Sequence, residues 1–221
     1  MASGGVGTRG LVLLRTIPLF HGVLDPQLEQ IAGVANHRKV TRGTVIVRAG
    51  DVTDSLYILI NGSARVLNSD DEGREVILSI LGPGDFFGEM GLIDGSPRSA
   101  DVVAAEACEM LVISKADFKR CLQENFEVAL NIMKRLVERL RDADRKIESL
   151  ALMDVYGRVA KLLLEFSEMH DGHRVIRRKI TKQDIAKMIG ASREMVSRVM
   201  KDLEASGYIR VEEGQIVLDE G

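Results

Sequence analysis

Between residues 36 and 113 the chain runs in short stretches of β-branched and alternating apolar residues: TVIVRAG, SLYILING, ARVLNSDDEG, REVILSIL, ADVVAAEA and CEMLVIS. Runs of this kind, separated by Gly, Asp and Asn turns, predict strands, and NSDDEGRE predicts a hairpin. Strands that follow one another without helical periods between them predict an all-β roll or sandwich rather than a β-α-β array. Ahead of them, DPQLEQIAGVA has the pattern of a helix, with Asp25 as N-cap and Pro26 at the first helical position. From about Asn125 the period changes. Met133, Val137, Leu140, Asp144, Ile147 and Ala151 are spaced 4-3-4-3-4, which predicts an a/d seam of roughly three heptads. Lys134, Arg135, Glu138, Arg139, Arg141 and Arg145 fill the other faces. So narrow a stripe on a long, charged helix favours a dimer seam over packing against its own domain. A break near Asp154–Gly157 then opens a compact helical domain.

In that domain Thr181 and Asp184 form a capping box with Asp in the place of Glu. Ile185, Ala186, Met188 and Ile189 supply one apolar face, Gly190 permits a tight turn, and Ser192 caps a second helix. Val196, Val199, Met200 and Leu203 point that second helix inward. This is the helix–short turn–helix pattern of a DNA reader, and YIRVEEGQIVL adds a two-stranded wing across a Glu-Gly turn. Arg193, Glu194, Ser197 and Arg198 are expected to face outward together near the helix start, with Met195, Val196 and Val199 anchoring other faces. Arg suits the two acceptors of guanine, and Glu accepts from the cytosine amino group. A Glu facing DNA is repelled by phosphates, so its presence favours base-specific binding over generic attraction. Lys182, Lys187 and Lys201 suit phosphate neutralisation, which positions without specifying. Thr181, Gln183 and Ser192 complete the expected DNA-contacting set.

Composition narrows the picture. The 221 residues, 45% apolar, suffice for one large or two modest domains with real cores,. No apolar run reaches the ~18 residues needed to span a bilayer. LVLLRTIPLF is broken by Arg15 and Pro18 and is too short for a signal-peptide core, so a cytoplasmic protein without membrane contact is expected. MASGGVGTRG, residues 1–10, has the composition of a flexible tail. Cys108 and Cys121 have no metal-type spacing and suit buried thiols. His21, His37, His170 and His173 form no cluster, so no metal is expected. Net charge is −3 overall, but Gly172–Leu203 holds nine Lys/Arg against three Asp/Glu, a local +6.

The remaining motif, FFGEMGLIDGSPRSA over residues 86–100, sets Glu89 and Arg98 among glycines at 88, 91 and 95. A glycine-rich turn leading into a short helix presents backbone N–H groups to an anion. Arg98 offers a planar charge matched to phosphate oxygens, and Ser99 a hydroxyl donor. Glu89, which would repel a phosphate, can accept from sugar hydroxyls. An acid for ribose and a base for phosphate describe a nucleotide site; the alternative is a structural Glu89–Arg98 salt bridge.

On these motifs the chain resembles the cyclic-AMP receptor protein (catabolite activator) group of the cyclic-AMP receptor/fumarate-nitrate regulator superfamily, over residues 11–219. FGEMGLIDGSPRSA is similar to the family's phosphate-binding cassette, LALMDVYGRVAKLLL to its hinge, and ASREMVSRVMKDLE to its recognition helix. The resemblance implies an α+β fold: a cyclic-nucleotide-binding β-roll over 11–124, a dimerisation helix and hinge over 125–154, and a winged helix-turn-helix over 155–221. It implies an allosteric transcription regulator rather than an enzyme: a homodimer that binds cyclic AMP, double-stranded DNA with TGTGA-like half-sites, and RNA polymerase. Carried over by position, Gly88, Glu89 and Met90 lie at the ribose, Arg98 and Ser99 at the cyclic phosphate, and Arg193, Glu194 and Arg198 at base edges. Relatives that sense oxygen or gas through N-terminal cysteines or haem need ligands missing here, since no cysteine precedes Cys108. Neither an attached catalytic domain nor a roll-held metal fits what remains of the chain.

One departure bears on the ligand. Where the family has a Thr-Ser pair meeting the adenine, this chain has Ala143 and Asp144. Asp144 also falls on the seam, where two symmetry-related carboxylates repel each other. It is either a solvated acid or an acceptor for the ligand's base. Guanine offers it two donors and adenine one, so cyclic GMP and cyclic di-GMP stand as rivals to cyclic AMP. A ligand-independent regulator with a vestigial cassette also stays open. The segment EMHDGHRVIRR is expected to be a connector, with polymerase contact as its other possible role.

Overall fold

The computed structural model describes residues 8–177, 180–212 and 215–219. Residues 1–7 of the tail expected over 1–10, and the expected Glu213–Gly214 turn of the wing, lie outside them, while residues 8–10 open a helix rather than a tail. The described residues fall into two compact units. The first runs to Arg74 and resumes from Leu78 to Arg139; the second takes Glu75–Ile77 and everything from Leu140 on.

The first unit begins with α1 (Thr8–Thr16), a 3-10 turn (Pro18–Phe20) and α2 (Asp25–Val34). Eight strands follow: β1 (Asn36–Val40), β2 (Val45–Val47), β3 (Ser55–Asn61), β4 (Ala64–Ser69), β5 (Glu75–Leu81), β6 (Phe86–Phe87), β7 (Asp101–Ala104) and β8 (Cys108–Ser114). The short helix α3 (Glu89–Asp94) sits between β6 and β7, and α4 (Lys115–Glu124) precedes the long α5 (Phe126–Leu152). The strands form two antiparallel sheets, ordered β1-β8-β3-β6 and β2-β7-β4-β5. The middle of the run SLYILING, Leu56–Ile60, is continuously apolar because β3 is covered on both faces. Ile58 packs with the helical residues Phe20, Leu28, Phe118 and Val128. Leu59 packs between the sheets with Ile46, Val102 and Met110. Side chains alternate across a strand, so two covered faces erase the polar half of the pattern.

Three expectations change. The N-cap of α2 is Leu24, not Asp25, and Pro26 is the second helical residue. The Asp25 carboxylate is taken by Arg15, with Nε at 3.1 Å, and so is not available to cap. Helix α4 was not expected; Ser114 caps it by accepting from Asp117 N at 3.2 Å. EMHDGHRVIRR is not merely a connector, because residues 168–176 of it form a hairpin in the second unit; its last residue lies outside the described residues.

The long helix α5 has 27 residues, about 40 Å at 1.5 Å per residue. Within the first unit it buries Val128 and Ile132 and is tied by polar bonds. Asn131 Nδ2 donates to Leu19 O at 3.1 Å and His21 O at 2.9 Å, and Arg135 pairs with Asp85 at 2.5 Å. The seam residues stand uncovered in the single chain: Met133, Val137, Leu140 and Ile147 are 49%, 46%, 62% and 65% exposed.

In the second unit, Asp154 caps α6 (Val155–Phe166) by accepting from Gly157 N at 2.8 Å. The helices α7 (Lys182–Ile189) and α8 (Arg193–Ala205) pack on α6 around Val159, Leu163, Ile185, Val196 and Leu203. Beside them lies an antiparallel sheet ordered β11-β12-β10-β9, built from β9 (Glu168–His170), β10 (His173–Ile176), β11 (Ile209–Glu212) and β12 (Gln215–Leu218). The β9–β10 hairpin thus extends the wing. Its turn, at Asp171 (φ 49°) and Gly172 (φ 83°), uses the left-handed conformations that tight hairpins need,. No helix among the described residues is long and apolar enough to cross a membrane.

Candidate functional site

The first candidate site is a cavity of about 380 Å³ in the first unit, bounded by Gly88–Gly91, Arg98–Ala100 and the walls of β4 and β5. The loop carrying Arg98 is fixed from outside: Arg98 N donates to Asp51 O at 2.9 Å, and Gly50 N to Arg98 O at 2.8 Å. Thr53 Oγ1 donates to Ser96 O at 3.0 Å. The Arg98 side chain runs inward and is only 7% exposed. Nη1 donates to Gly88 O at 3.0 Å and Nη2 to Ser55 O at 2.8 Å, with Asp54 at 3.4 Å. The guanidinium lies 5.6 Å from the Tyr57 ring centre, and Tyr57 stacks on Phe87 at 5.0 Å. Gly88 is required twice over. Its φ is +88°, and a Cβ there would lie 2.1 Å from Arg98 Nη1.

Glu89 is 1% exposed and does not pair with Arg98. Its Oε1 accepts from Arg139 Nη1 at 2.5 Å, while Oε2 is buried with no partner. Burial pushes this carboxyl above its ordinary value against the opposing pull of Arg139. An orphaned buried oxygen costs free energy, and a ligand hydroxyl donating to it would remove that cost. Arg139 also donates to Phe86 O and lies 5.2 Å from the Phe86 ring centre. Two guanidiniums against one carboxylate give the cavity an excess of positive charge, suited to an anion. Met90 and Ser99 line the cavity too, with Met90 52% exposed. Ala143 and Asp144 are not in its lining. They are exposed residues of α5, about one turn beyond Arg139, in the second unit.

Arg139 was overlooked as a site residue, although a signal existed. Val128, Ile132, Arg135 and Arg139 continue one 4-3-4 stripe beside the seam, and its last two members are the ones that pair inside the first unit.

The second candidate site lies on α7 and α8. Thr181 and Asp184 close the capping box, with Thr181 Oγ1 donating to Asp184 Oδ2 at 2.7 Å. Gly190 turns the chain at φ 64°, and Ser192 Oγ accepts from Met195 N at 3.1 Å. These caps present Arg193, Glu194 and Arg198 on the exposed face of α8, with Thr181, Lys182 and Gln183 exposed at the start of α7. Ser197 is partly buried and takes a 3.4 Å bond from Lys182 Nζ. Val196 and Val199 are buried as expected, but Met195 is 45% exposed. It precedes Val196 by one residue, a step of about 100°, and so lies at the edge of the core stripe, on the flank of the polar face. Cys108 and Cys121 are buried thiols, and burial pushes Cys121 up to about 11. Among the described residues no cluster of His, Cys, Asp or Glu is arranged to hold a metal.

An anion-suited pocket in a β-roll, followed by a long helix and a winged helix-turn-helix, defines a ligand-responsive transcription regulator. Residues 37–125 match the cyclic nucleotide-binding domain and residues 157–220 the Crp-like helix-turn-helix domain. The cAMP-activated global transcriptional regulator Vfr of Pseudomonas aeruginosa is 40% identical over 83% of this chain and 89% of its own. The cAMP-activated regulator CRP of Pasteurella multocida is 37% identical over 88% and 95%. Among solved structures, the c-di-GMP-responsive global regulator CLP of Xanthomonas campestris superposes with TM-score 0.76 at 29% identity, over 89% of this chain and 99% of that one. The chain belongs to the CRP/FNR family of cyclic-nucleotide-domain transcription regulators, and is not an enzyme.

Proposed function

We propose that the protein is a homodimeric, allosteric regulator that takes up cyclic AMP in the roll and then binds palindromic promoter DNA with TGTGA-like half-sites, where it contacts RNA polymerase. The observation that carries the proposal is the buried, triply bonded Arg98 facing an anion-suited cavity beside a carboxylate with one free oxygen. Arg98 and Ser99 hold the cyclic phosphate, and Gly88, Glu89 and Met90 the ribose. Two relatives are named as cAMP-activated, which supports cyclic AMP. The uncovered row on α5 supports dimerisation along a seam, with α5 as the dimerisation helix. A base held by Ala143 and Asp144 then couples the ligand to the seam of both subunits. The ligand shifts this equilibrium only as far as it prefers the DNA-binding state. Arg193, Glu194, Ser197 and Arg198 read base edges, while Thr181, Lys182, Gln183 and Ser192 hold the backbone.

A second reading has a specific basis. Asp144 stands where the family has a Ser, and a c-di-GMP-responsive regulator superposes on this chain, so cyclic di-GMP, or cyclic GMP, replaces cyclic AMP in it. The test is one panel: operator affinity by fluorescence anisotropy at stated salt, without ligand and with each of the three nucleotides. Cyclic AMP is expected to raise affinity most. A response to cyclic di-GMP or cyclic GMP alone selects the second reading, and no response to any nucleotide overturns both.

A further inference from the structure

Three bonds place the Arg98 guanidinium without fixing the tilt of its plane. Nη1 reaches Gly88 O and Nη2 reaches Ser55 O. Carbonyl oxygens accept over a broad range of directions, so these two bonds hold the two nitrogens while the plane can rock about the line joining them. The third partner, Asp54, is 76% exposed and constrains little,. The tilt has a chemical consequence. A guanidinium donates only in its own plane, so its tilt decides which of the two exocyclic oxygens of a cyclic phosphate the remaining N–H groups meet.

A flat surface laid against the guanidinium removes that freedom, and the fold supplies one. Arg98 Cζ lies over the Tyr57 ring, 5.6 Å from its centre. Tyr57 is 8% exposed and belongs to β3, where it pairs with Val112 of β8 on one side and Phe87 of β6 on the other. The Tyr57 and Phe87 rings are stacked, with centres 5.0 Å and planes 8° apart, and such cross-strand aromatic pairs stabilise a sheet. Ser55 precedes Tyr57 by two residues and Gly88 follows Phe87 directly, so the ring and both accepting carbonyls are set by the same two strands. Arg38 stands 6.0 Å from the same ring centre, at the limit of such a contact,, whereas Arg98 is nearer and more deeply buried. Tyr57 is not part of the cavity lining, so its route to a ligand runs through Arg98.

We propose that Tyr57, braced by Phe87, is a positioning residue of the phosphate site: its ring face sets the plane of the Arg98 guanidinium and so selects which exocyclic oxygen of the cyclic phosphate is bound. The proposal rests on the cyclic-nucleotide reading given above. The ring face is what matters in it, so phenylalanine serves as well as tyrosine and an aliphatic side chain does not.

Cyclic AMP and its two phosphorothioate diastereomers test this, since each diastereomer replaces a different exocyclic oxygen with sulfur, a poorer hydrogen-bond acceptor. Calorimetry on the full chain measures the three affinities for the wild type, Tyr57→Phe and Tyr57→Leu. In the wild type the two diastereomers differ by at least about threefold, and Tyr57→Phe keeps both that ratio and the cyclic AMP affinity to within about twofold. Tyr57→Leu binds cyclic AMP about threefold to thirtyfold more weakly, the worth of a buried cation–π contact, and its diastereomer ratio falls towards one. Tyr57→Met, which fills the space with a flexible side chain, carries the same expectation and the test if the leucine variant does not fold. Diastereomers of equal affinity in the wild type, a ratio lost in Tyr57→Phe, or a ratio that survives in the aliphatic variants even as all three affinities fall, overturns the proposal and leaves the cyclic-nucleotide reading intact. No binding of any of the three to the wild type overturns both the proposal and the assignment of cyclic AMP.

Discussion

Replacing Arg98 with Leu separates two jobs that the structure gives one side chain. The first is structural. The variant strips Gly88 O and Ser55 O of the donors that now reach them at 3.0 and 2.8 Å. Hydrogen bonds to a charged group are worth about 1.5–3 kcal/mol each. The third bond, to the 76% exposed Asp54, adds little,. Leucine regains some apolar contact with Tyr57, so the net loss is about 2–4 kcal/mol, a fall of about 5–12 °C in Tm. The second job is the ligand. A guanidinium has five N–H donors, and five less the three used leaves two for a phosphate. Losing two charge-assisted bonds costs about 3–5 kcal/mol, roughly 10²- to 10⁴-fold in affinity. Differential scanning calorimetry measures the first effect and titration calorimetry with cyclic AMP the second. Arg98→Lys keeps the charge but cannot span both carbonyls, so intermediate losses are expected in both, and it carries the test if the leucine variant fails to fold. A folded Arg98→Leu protein with wild-type affinity refutes the phosphate assignment, and an unchanged melt refutes the claim that Arg98 props the cassette.

Gly88→Ala forces a Cβ to within 2.1 Å of Arg98 Nη1 at φ +88°, so both the melt and the nucleotide affinity are expected to fall, the latter at least tenfold; wild-type values refute the close packing. Asp144→Ser is expected to change the preference among cyclic AMP, cyclic GMP and cyclic di-GMP or to raise basal operator binding, and no change in either returns Asp144 to a solvated acid. Glu194→Gln is expected to relax specificity at one cytosine of each half-site by about 1–3 kcal/mol, read as equalised affinities for operators altered at that pair; uniform weakening across sequences refutes base contact. Burial holds the Glu89 pKa above its ordinary 4.5, so the folded state keeps this proton to higher pH than the unfolded chain does. Stability therefore falls as pH rises from 4.5 through the raised value. A ligand hydroxyl donating to the ionised carboxylate releases the proton in that same window, and binding heats independent of buffer protonation enthalpy there refute the contact.

The roll was legible in the strand-like runs because β-branched stretches are rare outside sheets, and the boundaries of β3, β5 and β8 fall close to the expected ones. The sheet order was not legible. Pairing β3 with β8 joins residues more than fifty positions apart, Tyr57 with Val112 and Ile58 with Leu111, and nothing local in either run names its partner. Helix α4 was hidden because KADFKRCLQE follows a strand directly and only Phe118 and Cys121 are buried. The β9–β10 hairpin was hidden for a related reason: its turn rests on Asp171 in a left-handed conformation, and EMH, exposed at all three positions, lacks the alternation that marks a strand.

The site divides along the same physical line. Gly88, Glu89, Arg98 and Ser99 stand together in one motif of fifteen residues, so their chemistry is visible in the chain as written. Arg139 reaches the same cavity from fifty residues beyond Glu89, and it carries a property that only burial creates. On an isolated helix Arg139 is one more charge among Arg135, Glu138 and Arg141. It acquires a role because Glu89 is buried, needs a counter-charge, and finds one at 2.5 Å. Motif residues therefore fix the class of ligand, an anion with a sugar. The base is the part of the ligand that the motif leaves most open, because Ala143 and Asp144 stand outside it. Substitution at Asp144 is expected to change which purine binds, whereas substitutions at Arg98 are expected to lower affinity for all of them. A variant at Arg98 that altered purine preference while preserving overall affinity would break that division of labour.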